Sequence, residues 1–171
     1  MSRAGEFNVR AAEPADSKTL WPILRAVIRP GDTYAVDPAM TRSRALTWWM
    51  ETPGRTFVAG HGGTVLGSYY IRTNQGGGGA HVCNCGYVVA PAARGQGIAR
   101  EMCLHSQKVA RGLGYRAMQF NCVVATNTGA IRLWTSLGFE TVGRLPGAFA
   151  HPRVGLVDAL VMYKWLCAEA R

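Results

Sequence analysis

The stretch Val89-Ala90-Pro91-Ala92-Ala93-Arg94-Gly95-Gln96-Gly97-Ile98-Ala99 decides how this chain is read. Before it, His81 to Val89 reads as a strand that Ala90-Pro91 ends. After it, Ile98, Met102, Val109 and Leu113 form an apolar stripe at helical spacing, which predicts a helix over 97–112. The first amides of such a helix have no intrahelical partner, and the macrodipole adds partial positive charge there. Gly95 and Gly97 let an anion approach those amides, and Arg94 adds a fixed charge with a bidentate fork. A pyrophosphate suits that cradle; a tight turn that merely opens a helix is the plain alternative. A dinucleotide-binding glycine turn is excluded because Arg100 stands where its third glycine belongs, and no Gly-Lys-Ser/Thr follows as a P-loop requires.

Working outward, Phe7 to Ala11 predicts a short strand, and Asp16 or Ser17 caps a helix carrying Leu20, Trp21, Ile23, Leu24, Val27 and Ile28. Pro30-Gly31-Asp32 ends it, and a second helix is expected over 38–52. Residues 56–59 and 65–71 read as a hairpin around His61-Gly62-Gly63, and the glycines 76–79 as a strand connection. The apolar run 117–124 predicts a strand buried on both faces. A helix over 128–137 closes at Gly138, and strands follow over 140–145 and 156–164. Residues 145–156, rich in Pro, Gly and His, are expected to form a loop bordering the site. The order β-α-α-β-β-β-α-β-α-β-β shows neither repeat nor linker, so 1–171 is expected to be one domain.

Composition agrees with a packed globular chain: 48% of residues are hydrophobic and 17% charged. No apolar run has the length of a membrane span, and the first residues lack the apolar core of a secretory signal. A cytoplasmic protein is the expectation. The five cysteines are odd in number and set in apolar surroundings, which fits reduced core thiols better than a disulfide framework. Cys83 and Cys85 should face the same way in their strand, without the further ligands a zinc site needs, so no metal is expected. Net charge is +9, yet no run of basic residues points to nucleic acid; a phosphate-rich cofactor accounts for part of the excess.

Taken together, three blocks resemble the GNAT superfamily of acyl-CoA N-acyltransferases. They are Val89-x-Pro91 with Arg94-x-x-Gly97-x-Ala99, then Asn127-Thr128-Gly129-Ala130, then Leu137-Gly138-Phe139. The resemblance implies an α/β fold: a mixed, mostly antiparallel sheet of about seven strands, splayed between strands 4 and 5, with about four helices. It implies acetyl-CoA as acyl donor, with the pantetheine arm pairing to main chain near Tyr87 and Val89. Arg94, Gly95, Gln96, Gly97, Ile98 and Ala99 would hold the pyrophosphate, with Asn127 beside the cofactor. The family's usual acid, a tyrosine four residues after the Ala of Asn-x-x-Ala, is replaced here by Trp134. An indole either steadies the departing thiolate or simply packs. His81 is a candidate base; Glu101 is explained by the helix dipole.

Three asparagines remain as candidate catalytic or substrate-binding residues: Asn84, Asn121 and Asn127. Asparagine is disfavoured inside strands, and a buried amide must be paired. Either they read a substrate or they satisfy backbone at the splay. His81-x-Cys83-Asn84-x-Gly86, Phe120-Asn121 and Thr126-Asn127 are similar to the fungal acetyltransferases that act on azetidine-2-carboxylate, a proline analogue. That likeness implies a small amino or imino acid as acceptor. An acetyltransferase of proteins or peptides and a non-catalytic CoA-binding module are the alternatives. A homodimer is expected from the family, with Trp21, Trp48 and Trp49 in core or interface.

Overall fold

The computed structural model describes residues 7–167; the ends of the expected domain, 1–6 and 168–171, lie outside the described residues. Seven strands form one open sheet: β1 (Asn8–Ala11), β2 (Arg55–His61), β3 (Thr64–Thr73), β4 (Val82–Val89), β5 (Ala117–Val124), β6 (Glu140–His151) and β7 (Gly155–Trp165). Their spatial order is β1-β2-β3-β4-β5-β7-β6, and every neighbouring pair is antiparallel except β4 with β5. Four α-helices cover the sheet: α1 (Ser17–Ile28), α2 (Arg42–Leu46), α3 (Ile98–Gly112) and α4 (Thr128–Ser136).

Strand alternation divides the core in two. On one face Tyr69, Ile71, Cys83, Cys85, Met118 and Phe120 pack with Ile98, Met102 and Cys103 of α3 and with Trp134 of α4. On the other, Tyr70 and Val88 pack with Ile23, Leu24 and Val27 of α1 and with Trp49. Cys83 and Cys85 do point the same way, into the first core.

The parallel pair is the feature that matters for function. β4 and β5 pair only at Val82↔Ala117 and Cys83↔Met118, then diverge. From Asn84 onward the β4 edge has no strand partner on that side, which opens the expected V in the sheet.

Four expectations need correction. The second helix is shorter than 38–52: it starts at Arg42, where the Thr41 side chain accepts from the Arg44 amide, and Thr47–Glu51 forms a π-helical turn. That turn lets the Trp49 indole donate to Ser68 (2.9 Å), while Thr56 donates to the Trp49 carbonyl (2.7 Å). Strand β5 is not buried on both faces, because Asn121 and Cys122 border the splay and are exposed. Cys122 is therefore no core thiol. Leu113, expected on the buried stripe of α3, is 38% exposed just past the helix end. Finally, residues 145–151 are not loop: β6 runs on to His151 and pairs with β7 through His151↔Gly155.

Candidate functional site

The turn after β4 adopts the geometry its glycines allow. Gly95 and Gly97 have φ of 76° and 87°, in the left-handed region that favours glycine, and a Cβ on either would meet nothing within 4 Å. Gly97 is the N-cap of α3, so the amides of the first turn have no intrahelical partner. A cavity of about 810 Å³ begins there, lined by Arg94, Gly95 and Ala99, by Tyr87 and Val89 of β4, and by Asn127 and Trp134. Two of the expected cofactor residues turn elsewhere with their side chains. Gln96 donates to the Ala92 carbonyl (3.0 Å), and Ile98 is buried in the core, so each offers main chain only.

A second cavity of about 300 Å³ lies in the splay itself. It shares Thr33, Tyr87, Asn127, Ala130 and Trp134 with the first, so the two meet at those residues. Trp134 is buried, with its ring 5.0 Å from Tyr87 and 5.1 Å from Phe120. The Tyr87 hydroxyl faces the core, within 2.7 Å of Ser106 Oγ, and burial raises its pKa far above the usual tyrosine range. It supplies no acid to the cavities.

Each asparagine has a definite job. Asn84 donates from Nδ2 to the Gln119 carbonyl (2.9 Å), bridging β4 to β5 where the strands part. Its Oδ1 accepts from Arg72 Nε (3.3 Å). Asn121 donates to Asn74 Oδ1 (2.7 Å) and accepts from Gln119 Nε2 (2.9 Å). Asn127 caps α4 by accepting from the Ala130 amide (3.2 Å). Asn84 and Asn121 both line the smaller cavity, and Asn127 borders both cavities. The structural role expected as the alternative is thus present beside the cavity position, most completely for Asn84.

His81 lines neither cavity; it is exposed at the closed end of the splay, its ring 6.3 Å from Trp165. It is not placed to act as a base in either cavity. Two contributors escaped the sequence reading. Tyr34, from the segment after α1, places its hydroxyl 2.8 Å from the Tyr87 amide, which donates to it, and 2.9 Å from the Tyr87 carbonyl, to which it donates. Its ring sits edge-on against Trp48 and Trp49. A Cβ on Gly86 would meet Tyr70 at 2.6 Å and the Tyr34 hydroxyl at 3.0 Å, which is why glycine stands there. Arg72 is the second contributor. The stretch expected as a bordering loop does border the site, but as the β6–β7 hairpin, whose His151, Arg153 and Val154 line the larger cavity. No local pattern marks Tyr34 or Arg72, since each reaches the site through packing across the sheet.

Residues 21–139 match the Acetyltransferase (GNAT) family model. The chain belongs to that family. The N-acetyltransferase aca1 of Schizosaccharomyces pombe is 32% identical over 165 residues, spanning 84% of this chain and 77% of that one. A GCN5-related N-acetyltransferase from Kribbella flavida is 45% identical, with a TM-score of 0.88 over 93% of this chain and 97% of that one. The same fold occurs in yncA from Salmonella typhimurium, solved with its cofactor acetyl-CoA, at 22% identity and a TM-score of 0.83 over 98% of each chain. This chain is accordingly a GNAT N-acetyltransferase that uses acetyl-CoA. The cradle at Arg94 to Ala99 and the β4 edge without a strand partner fit that donor: first-turn amides for a pyrophosphate, and an extended edge for the pantetheine amides.

Proposed function

We propose that the protein acetylates the amine of a small molecule, an amino or imino acid such as a proline analogue, by direct attack within a ternary complex. The observation that carries this reading is the small second cavity, joined to the cofactor-side cavity at Tyr87, Asn127 and Trp134. At about 300 Å³ it suits a compact acceptor rather than a peptide. Bound acetyl-CoA supplies the thioester that the amine attacks. Arg94 and the amides of the first α3 turn hold the pyrophosphate, and main chain at Tyr87 and Val89 pairs with the pantetheine arm. Tyr87 N–H lies at the junction of the cavities, where a backbone donor stabilises developing negative charge. Trp134 and Phe120 wall the junction with apolar surface and exclude water.

No Asp, Glu or His occurs among the described residues lining the smaller cavity, so the amine gives its proton to water and positioning supplies most of the rate. Asn121 and Asn127 orient the acceptor, and Asn84 keeps the splay at its width. The protein acts in the cytoplasm as a single domain, in keeping with its buried free thiols Cys83, Cys85 and Cys103. Val142, Leu145 and Leu156, exposed on the outer β6–β7 hairpin, support a homodimer.

The test is thiol release from acetyl-CoA across azetidine-2-carboxylate, proline, other amino acids, polyamines and basic peptides, with Asn121→Ala beside the wild type. Turnover on cyclic imino acids that the variant loses supports the reading; turnover confined to peptides or polyamines overturns it.

A further inference from the structure

We propose that Arg72 is the receptor for the acceptor's carboxylate, so that the enzyme requires an acid group beside the amine it acetylates. This rests on the small-molecule reading above. Arg72 is the one charged side chain among the described residues lining the splay cavity, whose walls are otherwise aromatic, aliphatic, thiol, hydroxyl and amide groups. Its Nε donates to Asn84 Oδ1, and its guanidinium carbon lies 5.4 Å from the centre of the Tyr70 ring. Nε and one face of the fork are thereby fixed, while its two terminal nitrogens have no hydrogen-bond or ion-pair partner among the described residues. A half-buried guanidinium whose terminal nitrogens face a cavity without a counter-ion is a ready partner for an anion. The planar fork matches a carboxylate in two parallel hydrogen bonds.

Strand register places that fork where a carboxylate is needed. Arg72 pairs with Asn84, but its guanidinium leans over Tyr70, which pairs with Gly86. Gly86 adjoins Tyr87, whose amide marks the junction with the cofactor-side cavity. One strand residue is a rise of about 3.4 Å, a span that an amine and a carboxylate on the same carbon can bridge. Simple amines and polyamines would instead bring a like charge toward Arg72 and leave it unpaired, which is the stronger kind of discrimination.

The experiment uses matched pairs, proline with pyrrolidine and azetidine-2-carboxylate with azetidine, on the full-length wild type, Arg72→Gln and Arg72→Lys. Thiol release gives kcat and KM, and calorimetry gives CoA binding as a check on folding. The expected result is a wild-type preference for the acid member. Arg72→Gln loses about 10- to 100-fold in kcat/KM on the acids, chiefly through KM, with CoA binding unchanged. It loses several-fold less on the simple amines, and Arg72→Lys recovers part of the loss on the acids. Equal losses on both members of a pair would mean that Arg72 acts only through Asn84 and would overturn the proposal, as would equal wild-type use of both.

If no amine turns over, the twenty amino acids and azetidine-2-carboxylate are titrated into the CoA-saturated protein. Binding that Arg72→Gln abolishes upholds the carboxylate site while the transfer reading fails; no binding by any acid overturns the site.

Discussion

Tyr34→Phe isolates a contest for one backbone amide. The Tyr34 hydroxyl takes both the N–H and the carbonyl of Tyr87, at 2.8 and 2.9 Å, on the edge where β4 has lost its strand partner. If the pantetheine arm and thioester are to use that edge, these two bonds must open first. A net hydrogen bond contributes about 1 kcal/mol, and water replaces part of each, so the pair stabilises the free protein by about 1–1.5 kcal/mol. The phenylalanine keeps the ring against Trp48 and Trp49 and removes only the hydroxyl. Free Tyr34→Phe should therefore melt about 2–6 °C below the wild type. It should also bind acetyl-CoA about 5- to 10-fold more tightly, because nothing competes for the amide. With saturating acetyl-CoA the two proteins should unfold with equal free energy, since the lost bonds are absent from the bound state. Calorimetric titration and chemical unfolding with and without acetyl-CoA measure all three quantities. An unchanged or weaker affinity in a variant that folds would refute the reasoning.

Three further outcomes are expected. Gly97→Ala must hold φ near 87°, which costs about 1–2 kcal/mol; unfolding should show that loss, and calorimetry at least a tenfold weaker acetyl-CoA affinity as the cradle shifts. Trp134→Phe keeps an aromatic wall beside Tyr87 and Phe120 but removes the indole N–H. Stability should fall by about 1 kcal/mol with kcat within about threefold, whereas a larger kcat loss at unchanged acetyl-CoA affinity would assign the N–H to the leaving thiolate. Asp16 accepts both Arg10 terminal nitrogens at 2.8 Å and the Glu13 amide at 2.7 Å; the Arg10 bond chiefly holds its carboxyl below the usual range, against the opposing effect of burial. Its contribution is complete above the ordinary carboxylate pKa and is lost as pH falls through the lowered one. Asp16→Asn should cost about 1 kcal/mol at neutral pH, given a half-exposed Arg10, and the gap in urea unfolding should close below about pH 4.

What the sequence determined by itself is local chemistry. The Arg94 to Ala99 turn, its two glycines and the helix after it are written within a few residues, because chain stiffness and amide geometry act at that range. Strand and helix periods follow from side-chain burial on a single element. With the family blocks, these were enough for a mostly antiparallel sheet of about seven strands and the position of the splay, while the spatial strand order came from the structure. The tertiary structure decided what stands inside the splay. Tyr34 meets a backbone 53 residues away, and Arg72 and Asn84 share a bond because β3 and β4 align them. The same long-range pairing extended β6 to His151, and the widening gap exposed Asn121 and Cys122, which composition alone placed in a buried strand. Which side chains converge there depends on register and layer packing, physical quantities that exist only once distant segments have met.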